Sequence, residues 1–594
     1  TVARRLNGDP PGYMRSATDL FYNGEDRIIK GEAMYYPGAL NPYDLYRDVY
    51  GLSLDHVLSN STFYQVRISY LNVKQRSLDV LRRRNEEIIR YFGGIPVDEA
   101  PYGVKTEGGP LLMQDGMYYG AHSAGARDSS QSMAWNLKFD LTSQINRYNQ
   151  LKVGFTANYD DIYTYYEKNR WESTWENWYH QWHEYPIRAG AYIQDKLEFQ
   201  GMIANFGFRL DYNEPNTEWF SLDDPYSRYF KAKYKDQLLT EAPQEKAKGH
   251  VKISPRLGIS HPISANSRLY FNYGHFYSMP PSADMYEIRW GRASRSVERV
   301  GNPSADIPRT VAYELGWEFS MWDMFLFHIS GYYRDITDQT NAVRYTSFDG
   351  QVDYSRYENN NYEDIRGFEI RIDKRWGRWL TGWINYNYIV NTNGYIGRER
   401  YYEDPREQRI YGLQNPYQEV PVARPYARAS LLLTIPDGFG PTLFGFKPLE
   451  RVRLNTLFHY KSGRHETWDP LDTRELQDNI QWKSNYIFDL RLSKAFDVRG
   501  LNVEAFVDVN NVFNYRDSWS AEAFSSGDDR IRYLESLHLP MYSGEEYKAR
   551  GYVAGDDTPG DLRSDEKPYI NDPDLKYLMY LDPRTVLFGL RLDF

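Results

Sequence analysis

Apolar and polar residues alternate one for one in segment after segment of this chain. Few folds are open to a chain patterned in this way. Phe206, Phe208, Leu210 and Tyr212 are interleaved with Gly207, Arg209 and Asp211. Phe368, Ile370 and Ile372 alternate with Gly367, Glu369, Arg371 and Asp373, and Val503, Ala505, Val507 and Val509 with Glu504, Phe506 and Asp508. A period of two belongs to a β-strand with one apolar and one polar face. Seventeen such strands are expected, over residues 47–57, 62–71, 132–142, 149–160, 187–199, 202–212, 254–261, 267–275, 309–319, 324–336, 363–374, 378–389, 423–434, 451–461, 484–495, 501–512 and 582–594.

The connections fall into two classes that alternate along the chain. Short ones such as Gln200-Gly201, Ser264-Ala265-Asn266 and Trp322-Asp323 are followed by long ones over 72–130, 161–186, 213–253, 276–308, 337–362, 390–422, 462–483 and 513–581. The Pro- and Gly-rich connection 435–450 is long for its class. A β-sandwich would use Greek-key connections, and a propeller would repeat a blade signature. Tight turns at one rim and long loops at the other describe an all-β, antiparallel transmembrane β-barrel, with the turns periplasmic and the loops extracellular. Polar residues such as Glu369, Arg371, Arg491 and Glu504 would then face a wet lumen, and Tyr148, Tyr159, Trp379 and Trp383 the membrane interfaces. An odd strand count cannot close with every neighbour antiparallel. The seventeen therefore read as part of a barrel of about 22 strands, the size of plugged outer-membrane transporters. Residues 1–46 read as an extracellular loop and 47–594 as barrel.

Composition agrees. No apolar run approaches the roughly 18 residues of a membrane-crossing helix. Aromatic residues make up 16% of the chain, with 54 Tyr, yet mean hydropathy is −0.71. The net charge of −10 argues against a nucleic-acid partner. With no cysteine, disulfides, thiolate metal sites and thiol nucleophiles are excluded.

Several segments resemble TonB-dependent receptors. The C-terminal stretch Arg584 to Phe594, with Phe588, Leu590, Leu592 and the terminal Phe594 in alternation, is similar to that family's last strand. Gly301-Asn302-Pro303 with Pro308-Arg309 and Tyr313-Glu314-Leu315-Gly316 resembles a conserved family segment. So do Asn360-Asn361 with Ile365 to Glu369, and Val509 to Asn514. The resemblance implies a 22-stranded barrel in the bacterial outer membrane, an N-terminal plug domain lying outside this chain, and coupling through that plug to the TonB complex. It also implies contact with outer-membrane lipid and lipopolysaccharide, a small nutrient ligand, and a surface lipoprotein as a partner to test for. The alternative is a passive porin or a structural barrel that binds a surface partner.

Motifs for catalysis are missing: there is no GxSxG, HExxH or P-loop, and no enzyme activity is expected. Candidate recognition residues sit in the loops. Trp171, Trp175, Trp178 and Trp182 are spaced as one face of a helix; they offer a platform for a ligand, or pack the loop. His180 and His183 with Glu184 have the i, i+3 spacing of a metal pair, without a third histidine. Residues 75–92 read as an amphipathic helix carrying Arg82-Arg83-Arg84. No cofactor is expected, except that Asp528, Asp529, Glu545, Glu546, Asp556, Asp557, Asp561, Asp565 and Glu566 supply the oxygen ligands Ca²⁺ prefers.

Overall fold

Each alternating segment finds the next one in sequence and pairs with it antiparallel. In a computed structural model of the chain, the strands are β1 (Pro42–Ser59), β2 (Thr62–Ser77), β3 (Gln131–Gln144), β4 (Asn149–Lys168), β5 (Ile187–Phe199) and β6 (Met202–Glu214). They continue with β7 (His250–Ser264), β8 (Ser267–Tyr277), β9 (Arg309–Met321), β10 (Phe325–Thr346), β11 (Asp353–Lys374) and β12 (Leu380–Tyr395). The last are β13 (Tyr426–Thr434), β14 (Val452–Lys461), β15 (Asn485–Val498), β16 (Leu501–Asn510) and β17 (Thr585–Asp593). The structure describes residues 42–77, 126–168, 178–515 and 583–593, less short stretches within them such as 292–295, 415–420 and 472–477, together with small pieces elsewhere. Registers join every consecutive pair from β1 to β17. Residues 2–6 form a further short strand beside 42–46.

Exposure follows the alternation. Phe206, Phe208 and Leu210 on β6 are exposed, as are Leu315 on β9, Phe368 on β11 and Phe588, Leu590 and Leu592 on β17. That outward face is apolar, as a lipid-facing surface must be. Phe594 lies outside the described residues. On the inward face, Tyr192 donates to Asp140 at 2.6 Å, Arg371 holds Asp373 at 2.8 Å, Asn385 bonds Glu369 and Arg491 pairs with Asp508. Trp383 departs from expectation: the Arg371 guanidinium lies 5.5 Å from its ring, so it faces the lumen and not the interface. Among the described residues, no helix is long and apolar enough to cross a membrane.

Because the barrel spends its apolar side chains on lipid, the clusters of buried apolar side chains among the described residues lie in the loops and in the strand ends that reach into them. One joins Trp219, Phe220, Phe230 and Leu238 to Ile288, Trp290, Val297, Val300, Val343, Tyr345 and Tyr354. Another joins Trp468, Ile480 and Trp482 to Leu534, Leu537, Leu539 and Tyr542. The first builds a folded head on the long-loop rim.

Candidate functional site

The head is organised by loop segments that add strands to the barrel's own sheet. The upper end of β4 pairs with Trp178–Glu184, whose start pairs with Ile288–Gly291. That strand pairs with Val297–Val300, which runs parallel to β11 at Ser355 and Arg356. Beyond the top of β10, Arg400–Tyr402 pairs parallel with 344–346. Loop strands thus link β4 to β11 without passing through β5–β9.

This sheet is amphipathic. Ile288, Trp290, Val297, Val300, Val343, Tyr345 and Tyr354 point to one face and are covered by the 213–249 loop, with Phe230 stacked on Tyr354 at 4.4 Å. The other face is basic and aromatic. Registers place Arg289 opposite Arg299, Arg299 beside Ser355, Ser355 opposite Arg344, and Arg344 beside Arg400. Paired residues on adjacent strands point to the same face, so the four arginines form one row across the sheet.

Glu287 anchors one end of the row. Its side chain is 2% exposed and accepts from Arg289 Nε at 2.9 Å, with His180 Nδ1 at 2.8 Å and Arg299 Nη1 at 4.0 Å. Burial pushes its carboxyl up, but His180 and Arg289 outweigh that and hold it below the ordinary glutamate value. The turn carrying it is clamped by Gly301 and Asn302. Their backbone N–H groups donate to the carbonyls of Glu287 and Asp284 at 2.6 and 2.8 Å, and a Cβ on Gly301 would stand 2.5 Å from the Met285 oxygen. The Gly-Asn-Pro segment therefore has a structural task inside the head.

Trp178 and Trp182 lie on the basic face, but on a strand and not on a helix. Spacing of four keeps two residues on one face in either element, so the helical reading of that spacing was degenerate. The strand period inserts His180 between them, at ring distances of 5.4 and 4.8 Å, and Arg289 stacks 3.8 Å from the Trp178 centroid. Trp182 is buried against Met285 and Tyr286. Trp171 and Trp175 lie outside the described residues.

The same strand separates the two histidines. His180 points to Glu287 and His183 to Asp161 at 2.7 Å, so they cannot share an ion. Among the described residues no cluster of three or more potential metal ligands occurs. Of the nine acidic residues proposed for Ca²⁺, Glu545 and Glu546 sit in a short helix and the others lie outside the described residues. The amphipathic helix over 75–92 is not formed at its ends: 75–77 belong to β2 and 90–92 to a short strand, while Arg82-Arg83-Arg84 lies outside the described residues.

Sequence reasoning missed Arg289, Arg299, Arg344 and Arg400. A local signal existed, since Arg289 lies between Ile288 and Trp290 and Arg344 between Val343 and Tyr345. The pairing that assembles them joins distant segments and left no trace in the sequence.

The barrel interior holds a cavity of about 1040 Å³, walled by groups such as Lys152, Arg209, Arg256, Arg334, Glu314 and Glu369. From Glu314 a hydrogen-bonded chain leads away from this cavity into a smaller neighbouring pocket: Tyr270 donates to Glu314 at 2.9 Å and meets His328 at 3.1 Å, which reaches Glu318 at 3.2 Å.

Antiparallel neighbour pairing, a lipid-facing apolar surface, a polar interior and long folded loops at one rim define an outer-membrane β-barrel. The chain belongs to the family described as TonB dependent receptor-like, beta-barrel, whose profile matches residues 3–536. It is a bacterial outer-membrane protein of a receptor family, not of an enzyme family. No curated protein matches the sequence. Among solved structures, it is similar to the outer membrane transporter YddB from Escherichia coli, with 12% identity, TM-score 0.50, and coverage of 80% of this chain and 60% of that one. It is also similar to the FrpB iron transporter from Neisseria meningitidis, with 12% identity, TM-score 0.48 and the same coverages. The ferric yersiniabactin uptake receptor FyuA from Yersinia pestis matches with 10% identity, TM-score 0.45, and coverage of 81% of this chain and 58% of that one. The chain thus spans about 60% of the length of these structures.

Proposed function

We propose that this chain forms the barrel and the ligand-capturing loops of a TonB-dependent transporter that takes up a nutrient across the outer membrane. The observation that carries the reading is an interior cavity of about 1040 Å³, walled by charged as well as apolar groups, in a barrel of this family. Extracellular loops receive the ligand, and the lumen passes it inward. A plug domain in the lumen, coupled to the TonB complex, would supply the energy, since the outer membrane has no ATP of its own. Trp178, with Arg289 stacked on its ring, is an aromatic part of the capture surface, and buried Trp182 supports it from behind. Lipopolysaccharide surrounds the rim, and a surface lipoprotein would dock on the head.

The test is a deletion of the gene in its native bacterium, with growth scored on one scarce nutrient at a time. A strain lacking the TonB complex is scored in parallel. Both strains should fail on the same nutrient. Uptake at the wild-type rate in the deletion strain for every nutrient would sink the reading. Uptake that needs this gene but survives loss of the TonB complex would establish a passive porin.

A further inference from the structure

Glycine inside a strand weakens it, and it persists where the chain bulges, where another backbone comes close or where a ligand does. Gly154, Gly316, Gly367 and Gly589 are accounted for within the barrel, since an aromatic side chain from the next strand lies over each. Gly331 on β10 is different. The ladder passes through it without a shift at that point, and its φ is not positive. A Cβ there would meet no atom nearer than the Gly367 oxygen at 3.9 Å. The protein leaves this place in its wall unfilled.

Registers set Gly331 in one row with Leu315, Phe368 and Tyr388, so it points outward as Leu315 does. Tyr333 stands above it and Ile329 below, on the same face of the strand. The result is a hollow of about 570 Å³ on the lipid side of the wall. Tyr388 stacks on Phe368 at 5.5 Å, and Tyr313 lies 6.2 Å from Tyr333. Arg366 at the upper edge is 3.7 Å from Asp364, so its charge already has a partner. What the hollow offers is apolar and aromatic surface.

Height identifies the occupant. Asp335 and Asp364, paired across β10 and β11 and pointing outward, mark where the lipid-facing surface ends. Asp335 is ten residues along β10 from Phe325. At about 3.4 Å per residue and a tilt of roughly 40°, that is about 25 Å, the height of the apolar band. Gly331 then sits at about 15 Å, in the half of the band nearer the cell surface.

We propose that the hollow over Gly331 is a binding site for one acyl chain of lipid A, the glycolipid of the outer leaflet. Leu315 and Phe368 form its side walls, the strand backbone forms its floor, and the chain fills the volume a side chain would otherwise take. The site is separate from solute capture by the head and does not depend on transport.

Native mass spectrometry tests this on the full-length protein, released from detergent micelles after incubation with hexa-acylated lipid A. The wild type should keep one lipid A per barrel. Gly331→Leu should lower the retained fraction about tenfold, the effect of unseating roughly two methylene groups. Phe368→Ala, which removes one wall, should lower it too. Phe208→Leu, on the lipid face of β6, should leave it unchanged. Heat-modifiable migration on gels shows that each variant is folded. Gly331→Leu should unfold at no lower urea concentration than the wild type, because a Cβ there meets nothing closer than 3.9 Å; a lower midpoint would mean that the protein itself fills the place and would overturn the proposal. No adduct on the wild type, or wild-type retention in Gly331→Leu, would overturn it as well. So would preferential retention of phosphatidylethanolamine when both lipids are offered, which would assign the hollow to the inner leaflet.

Discussion

Glu287 shows what one buried side chain can organise. It is bonded by groups from two loops, His180 on one and Arg289 on the other, and Arg299 lies nearby. Removing one partner of a buried ionic cluster leaves the others desolvated and unpaired, at a cost of about 3 kcal/mol. Glu287→Gln should therefore loosen the head while sparing the barrel. Hydrogen exchange should accelerate at 178–184 and 288–300, with β14–β16 unchanged; unaltered exchange in the head would show that Glu287 does not hold it. The pH dependence has a definite sign. Burial would raise the carboxyls of Glu287, Asp353 and Asp306, but their cationic neighbours and hydrogen bonds keep all three below ordinary values. Depressed carboxyls contribute stability that is present above the ordinary range near pH 4 and lost as pH falls through the lower folded values. Protease clipping of the head should rise steeply below about pH 4; a head equally resistant at about pH 3 would contradict this.

The elements show where sequence reading succeeds and where it stops. All seventeen expected segments contain an observed strand, because a wall between lipid and water writes a strict alternation into the chain. The same reading ended β10 and β11 at the membrane, with strands over 324–336 and 363–374, whereas both run 22 residues. A tilted strand crosses the bilayer in about 9–11 residues. Beyond that, neither face meets lipid, and Asn359 and Asn361 can stay in a ladder that shows no apolar period, with Asn360 bulged between them. The loop sheet was illegible for a related reason: its partners are far apart in sequence, as Tyr179 and Trp290 are. Within the wall, Tyr192 lies over Gly154 and Tyr270 over Gly316, each directly across from its glycine. A Cβ at 316 would come within 2.1 Å of the Tyr270 ring. Gly316→Ala should displace that ring from Glu314 and His328 and cost about 1–3 kcal/mol. A double-mutant cycle with Tyr270→Ala, measured by urea unfolding in detergent, should show coupling between the two sites; strict additivity would refute the contact.

At the scale of the whole molecule, the two faces of the wall predict opposite tolerances. Leu315 is 59% exposed on the lipid side, about midway along β9. Leu315→Arg should cost about 2–4 kcal/mol and lower the yield of folded protein in the outer membrane. Gln194→Arg, inside the lumen, should insert at the wild-type level; equal defects in both variants would mean that the faces are misassigned. The head adds a constraint on how the protein is made. Its sheet joins Trp178 to Gly291 and Arg344 to Arg400, so it can assemble only after those stretches have been delivered to the cell surface. A knot of this size, tied on the far side, would hinder the strands from slipping back. Biogenesis then has a direction built into it, with the surface-exposed loops acting as a latch that sets last. In a pulse-chase, resistance of the head to protease added outside the cell should appear after heat-modifiable folding of the barrel, and never before it.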